Sequence, residues 1–139
     1  MEAAYTDAAG RTVVPANKNI DAGNINVETT FGPGVYQWKS DVVINSYIYL
    51  DGSDTDLWIF QTTGTFNVAA GVKFILKKCA KAENIVWQVA GTFTAKAGAH
   101  IEGIILGKTS VTFITGSTIN GQIFAQANVA LQQAVVTKP

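Results

Sequence analysis

The chain of 139 residues balances ten Lys and Arg against ten Asp and Glu, and only 14% of it is charged. That balance excludes the basic stripe with which proteins grip nucleic acid or an anionic membrane, and no apolar run approaches the ~20 residues a membrane span requires. Soluble proteins commonly carry about a quarter charged residues, so this surface has to be built from Thr, Ser, Asn, Gln, Ala and Gly. Cys79 stands alone, which rules out an intrachain disulfide or a cysteine zinc cluster; it reads as a small half-buried thiol.

In chain order, Ala3–Ala9 is Ala-rich and stops at Gly10, the pattern of a short helix or the tail of a longer one ending at a glycine cap. The opening "MEAAYTDAAGR" shows neither the basic head nor the apolar stretch of a secretory leader. Residues 11–33 keep no period and are broken by Pro15, Gly23 and Pro33-Gly34, which predicts a connector with one short strand. From Gly34 onward, short β-branched and aromatic runs alternate with Gly, Asn, Asp and Ser breaks, a strand-and-turn pattern. The expected organisation is one domain over 1–139, with a helix tail at 1–10, a connector at 11–33 and stacked coils at 34–139.

The stacking is visible as a repeat. "GTFNVAAG" at 64–71 returns as "GTFTAKAG" at 91–98, and Phe66 aligns with Phe93, Val111, Val129 and, backwards, Val42. The same offsets of 27, 18, 18 and 24 align Val68 with Ala95, Phe113, Leu131 and Ile44. They also align Phe60 with Trp87, Ile105, Ile123 and Tyr36, and Phe74 with Ile101, Ile119 and Leu50. Three apolar columns per coil of 18–27 residues predict a mainly β fold, a parallel β-solenoid of triangular section with three short strands per coil. The insertion "KKCAKAEN" at 77–84 should fall at a corner.

The three faces differ. Around Tyr36, "LWIF" (57–60), "IVW" (85–87), "GIIL" (103–106) and "IF" (123–124), apolar residues do not alternate with polar ones, so this face is expected to be buried on both sides, with Trp58 and Trp87 as packing residues. "EAAYTDAAG" is too short to cover it at ~1.5 Å per residue. The cover is expected from chain ahead of Met1 or from a second chain. A second face turns Lys73, His100, Glu102, Thr118 and Asn120 outward, a solvated salt-bridge set with no catalytic grouping.

On the third face, Phe66, Phe93, Val111 and Val129 point inward, and the outward pairs are Thr65/Asn67, Thr92/Thr94, Ser110/Thr112 and Asn128/Ala130. Eight uncharged outward positions, beside a face that does carry Lys, His and Glu, favour a recognition surface over a merely soluble one. Thr places a methyl and a hydroxyl on one stiff, short stem, so such a lattice suits a flat, periodic ligand. Asp41/Val43 begins the columns less well, Lys96, Ile114 and Gln132 border them, and because Lys96 takes the place of Ala69 the uncharged strip ends there, about four coils deep.

These stretches resemble the microbial ice-binding (antifreeze) proteins built on an irregular β-solenoid with an accompanying α-helix. "PGVYQWKSDVVI" (33–44), "LDGSDTDLWIFQTTGTFNV" (50–68), "AKAENIVWQVAGTFT" (80–94), "HIEGIILGKTSVTF" (100–113) and "STINGQIFAQANVAL" (117–131) are similar to that family's successive coils, and "AYTDAAGRT" (4–12) to the end of its helix. The resemblance implies a right-handed solenoid whose partner is an ice crystal surface, with no cofactor, no metal and no catalytic residue, working outside the cell to restrain ice growth and recrystallisation. "TSVT" (109–112) and "GTFT" (91–94) are nearest to the family's T-A/G-x-T/N motif, and "ANVA" (127–130) departs from it. A polysaccharide-cleaving β-helix would need grouped carboxylates or basic residues, which the chain lacks. An extracellular adhesin or carbohydrate-binding solenoid would need a row of exposed aromatics, for which Tyr47 and Tyr49 are the candidates.

Overall fold

No single run of three to five β-forming residues can bury a face by itself, and the chain meets this constraint by winding such runs into stacked coils. The computed structural model describes residues 23–131 and 134–137. The helix expected at Ala3–Ala9 and the connector before Gly23 lie outside the described residues. The first coils contain β1 (Asn24–Ile25), β2 (Thr29–Phe31), β3 (Gly34–Trp38), β4 (Val42–Ile44) and β5 (Ile48–Gly52). The middle ones contain β6 (Trp58–Thr62), β7 (Phe66–Val68), β8 (Phe74–Lys78), β9 (Ile85–Val89) and β10 (Phe93–Ala95). The last are β11 (His100–Gly107), β12 (Ser110–Phe113), β13 (Thr118–Ala125), β14 (Asn128–Leu131) and β15 (Val135–Thr137).

They form three parallel sheets, ordered β1-β4-β7-β10-β12-β14, β3-β6-β9-β11-β13-β15 and β2-β5-β8. The apolar columns read from the repeat become ladder partners: Phe66 pairs with Val42 and Phe93, Phe93 with Val111, and Val111 with Val129. Tyr36, Phe60, Trp87, Ile105 and Ile123 line up in the same way.

Two readings need correction. Ile48, not Leu50, lies opposite Phe74, and Leu50 faces Leu76. The corner between Ile44 and Ile48 is two residues shorter than that between Val68 and Phe74, so the offset of 24 holds on one face and fails on the next. The region 11–33 was expected to hold one short strand, and β1 and β2 both lie within it. At two and three residues they are too short to show a period, yet Ile25 and Phe31 are fully part of the core.

The interior is an aromatic stack running from coil to coil. Tyr36 and Phe60 stack at 5.2 Å, Phe60 and Trp87 at 4.1 Å, Phe66 and Phe93 at 5.1 Å, and Phe93 and Phe113 at 6.0 Å. Both tryptophans expected to pack do so: Trp58 and Trp87 are buried, with indole N–H groups donating to the Phe31 carbonyl at 3.1 Å and the Glu102 carbonyl at 2.9 Å. The apolar face is buried on both sides at β6, and Ile59 and Leu106 form a second buried cluster with partly buried Val35, Val86 and Ile104. The expectation fails on β13, nearer the edge of the sheet, where Phe124 is 41% exposed.

Coil length varies most at another corner. Between β8 and β9 the chain makes a detour through Cys79, a 3₁₀ turn at Ala82–Asn84 and back, whereas β11 and β13 run through the equivalent corner without a break. The detour starts at Cys79 rather than Lys77, because Lys77 and Lys78 pair with Asp51 and Gly52; Cys79 is exposed instead of half-buried. In the shorter coils the corner is a glycine with positive φ, Gly103 at 122° and Gly121 at 157°. A side chain on Gly121 would overlap the Gly103 carbonyl, so coils can stack there only as backbone on backbone.

Phe93→Ala should cost about 3–5 kcal/mol, because Phe93 is fully buried between two stacked rings. Gly121→Ala should cost about 1–3 kcal/mol from its backbone conformation, before the clash is added. Thermal unfolding followed by circular dichroism reads both, and an unchanged midpoint for Phe93→Ala would contradict the stacked core.

Candidate functional site

The uncharged face is the outer side of the sheet containing β4, β7, β10, β12 and β14. Along β7, β10 and β12 inward Phe, Val or Ala alternates with outward Thr, Ser or Asn, so the pleat sorts core from surface. On the outermost strand, β14, Val129, expected inward, and Leu131 are 41% and 47% exposed, because no further coil stacks on them in this sheet. Parallel pairing then sets like beside like: Thr94 lies between Asn67 and Thr112, Thr112 faces Ala130, and Ser110 faces Asn128. The Phe66 amide donates to the Thr92 carbonyl at 2.9 Å, which keeps Thr65 beside Thr92. All eight residues expected at this site are therefore brought onto one sheet face, in two columns.

Adjacent residues in a column are separated by the strand spacing, about 4.8 Å, and the two columns by about 6.6 Å along the strand. Thr65, Asn67, Thr92, Thr94, Ser110, Thr112 and Ala130 are half-buried, each shielded by its neighbours, whereas Asn128 on the outermost strand is exposed. The Asn67 side-chain amide donates to the Thr65 hydroxyl at 3.3 Å, tying the columns together. A surface of branched, mutually packed side chains has few rotamers to lose on contact.

The lattice is longer than the repeat alone revealed. Val43 lies opposite Asn67, as expected, and Asn24 lies opposite Val43, so the column holding Thr94 starts one strand earlier than the repeat showed. The signal was present in "NIN" at 24–26, where Asn, Ile and Asn point out, in and out, but three residues do not establish a period. Asp41 stands at the head of the other column, and its carboxylate accepts the Thr65 amide at 2.8 Å.

The second face departs from an open solvated set. His100 bonds Glu102 at 2.8 Å and the Thr118 hydroxyl at 2.6 Å, and the Glu102 side chain is only 12% exposed. The other Glu102 carboxylate oxygen is buried with no hydrogen-bond partner among the described residues. Lys73 stays exposed and pairs with His100 through its backbone. Tyr49 has Lys77 Nζ 4.3 Å above its ring, and desolvation first, then the charge of Glu28, raises its hydroxyl above the ordinary tyrosine range. Among the described residues, no group of three or more His, Cys, Asp or Glu is placed to hold a metal ion.

Residues 1–137 match the family described as ice-binding-like. The chain is 42% identical over 139 residues to an ice-binding protein of Flavobacterium frigoris, covering all of this chain and 50% of that protein. It is 42% identical over 140 residues to one from a Colwellia species, covering all of this chain and 54% of that protein. The crystal structure of an ice-binding protein from an Arctic yeast superposes with a TM-score of 0.94 at 40% identity, covering 99% of this chain and 59% of that one. The ice-binding protein domain of Shewanella frigidimarina gives 0.86 at 27% identity, over 97% and 58%. The chain thus spans about half the length of the curated relatives it matches.

The carboxylate at the head of the first column should be structural. Asp41→Ala is expected to cost about 1 kcal/mol locally and to speed hydrogen exchange at the Thr65 amide roughly fivefold. An unchanged exchange rate at Thr65 would show that the carboxylate does not hold that strand.

Proposed function

The chain belongs to the ice-binding-like family, and from that premise we propose that it adsorbs to ice through the two-column face of Thr65, Asn67, Thr92, Thr94, Ser110, Thr112, Asn128 and Ala130, restraining ice growth and recrystallisation. The observation that carries this reading is the register of Thr94 with Asn67 and Thr112, which turns a repeat in the sequence into a flat periodic array without charge. A growing crystal offers only ordered water. A protein face meets it well when its own groups are fixed, regularly spaced and weakly hydrated, so that little has to be desolvated or immobilised on contact. Half-buried Thr and Asn meet these conditions and Lys or Glu do not.

The proposal includes no catalysis and no cofactor, and an extracellular location, where such a protein meets ice; recovery of the chain from the medium rather than from cells checks the latter. The carbohydrate-binding alternative is disfavoured because Lys77 occupies the face of Tyr49, leaving Tyr47 without a second open ring beside it.

Thr94→Tyr and Thr112→Tyr each place a bulky ring at the centre of the array. Both are expected to abolish growth arrest and faceting of ice crystals in a cooled droplet while leaving the circular dichroism spectrum unchanged. Growth arrest that survives both substitutions in folded protein would show that another face binds ice.

A further inference from the structure

We propose that Lys96 sets the width of the ice-contacting strip, so that the face is a three-column lattice reduced to two at its middle by one side chain; this rests on the ice-binding reading above. The third column is fixed by the backbone. The Asn45 amide donates to the Ile25 carbonyl, Ala69 to Ile44, Lys96 to Val68 and Ile114 to Ala95, at 2.8 to 3.0 Å, so Asn26, Asn45, Ala69, Lys96 and Ile114 follow one another across the sheet. At its start the Asn45 side-chain amide donates to the Asn26 side-chain oxygen at 2.7 Å, holding two amides against the surface as Asn67 is held against Thr65. Ala69 continues the uncharged series one residue past the end of β7, as Thr65 precedes its start and Asn67 lies within it.

Lys96 then interrupts it. The residue lies two positions along the strand from Thr94 and one strand from both Ala69 and Ile114, at the centre of the sheet's length. Its side chain is exposed. An ammonium is a compact, strongly hydrated charge on a flexible four-carbon stem, and such a group resists both desolvation and immobilisation against a flat solid. Asp41 makes the contrast: its charge is also on this sheet, but the carboxylate is held down by the Thr65 amide at the end of a column. Lys96 is free to sweep the neighbouring positions, and Asp41 is not.

The test compares Lys96→Thr, Lys96→Glu and Lys73→Thr in the full chain by the gap between melting and growth temperatures of an ice crystal at equal protein concentration. Lys96→Thr widens the central contact from two columns to three, an increase of about half in contacting area, and is expected to enlarge the gap beyond that of the parent. Lys96→Glu keeps a hydrated charge at the same place and should show no gain. Lys73→Thr removes a lysine from the adjacent face and should match the parent. A gain cannot arise from misfolding, which keeps the outcome readable. An unchanged or smaller gap for Lys96→Thr, or an equal gain for Lys96→Glu or Lys73→Thr, would overturn the role of Lys96. Loss of the two-column reading itself would show separately, as growth arrest persisting in Thr94→Tyr.

Discussion

Everything in this molecule depends on parallel strands of successive coils pairing in register. A parallel ladder places each residue beside its counterpart one coil away, at a spacing set by backbone hydrogen bonds and indifferent to the side chain. Whatever occupies a column is thereby repeated at that spacing. Inside, the result is a run of rings stacked from Tyr36 through Phe60 to Trp87 and from Phe66 through Phe93 to Phe113. Outside, the same ladders set Thr94 beside Asn67 and Thr112. The regularity of the outer face is a consequence of the core that holds the strands in step.

On the proposal that this face meets ice, the coupling explains why it carries so little charge and why its side chains can be so ordinary. A threonine hydroxyl on a surface is worth almost nothing by itself. Repeated at fixed spacing on a rigid sheet it loses almost no freedom on meeting a surface of ordered water, and small favourable contacts add without a matching entropic cost. The neighbouring face, outside the proposed contact, carries His100, Glu102 and Lys73.

The columns were legible in the sequence because inward residues are large and apolar and recur at offsets the eye can test, as Phe66 and Phe93 do. The eight outward residues followed from alternation alone, once the inward ones were known. The insertion at 77–84 was legible as a corner, but the register carried around corners was not. Leu50 was paired with Phe74 because a constant offset was carried around a corner that is two residues shorter, and the register changed while the inward or outward sense of each residue did not. Asn24 and Asn26 were missed because a two-residue strand carries no period. The burial of Glu102 was missed for a different reason: side-chain exposure on a coil depends on what neighbouring corners fold over it, and alternation contains no information about that.

The detour through Cys79 and Ala82–Asn84 shows where the architecture keeps its tolerance. A coil can lengthen by half at that corner, and β10 still meets β7 and β12 residue for residue. The corners act as expansion joints. Insertions there alter the outline of the molecule and leave the ruling of its flat face untouched, so the length of a coil and the spacing of its lattice can vary under separate selection.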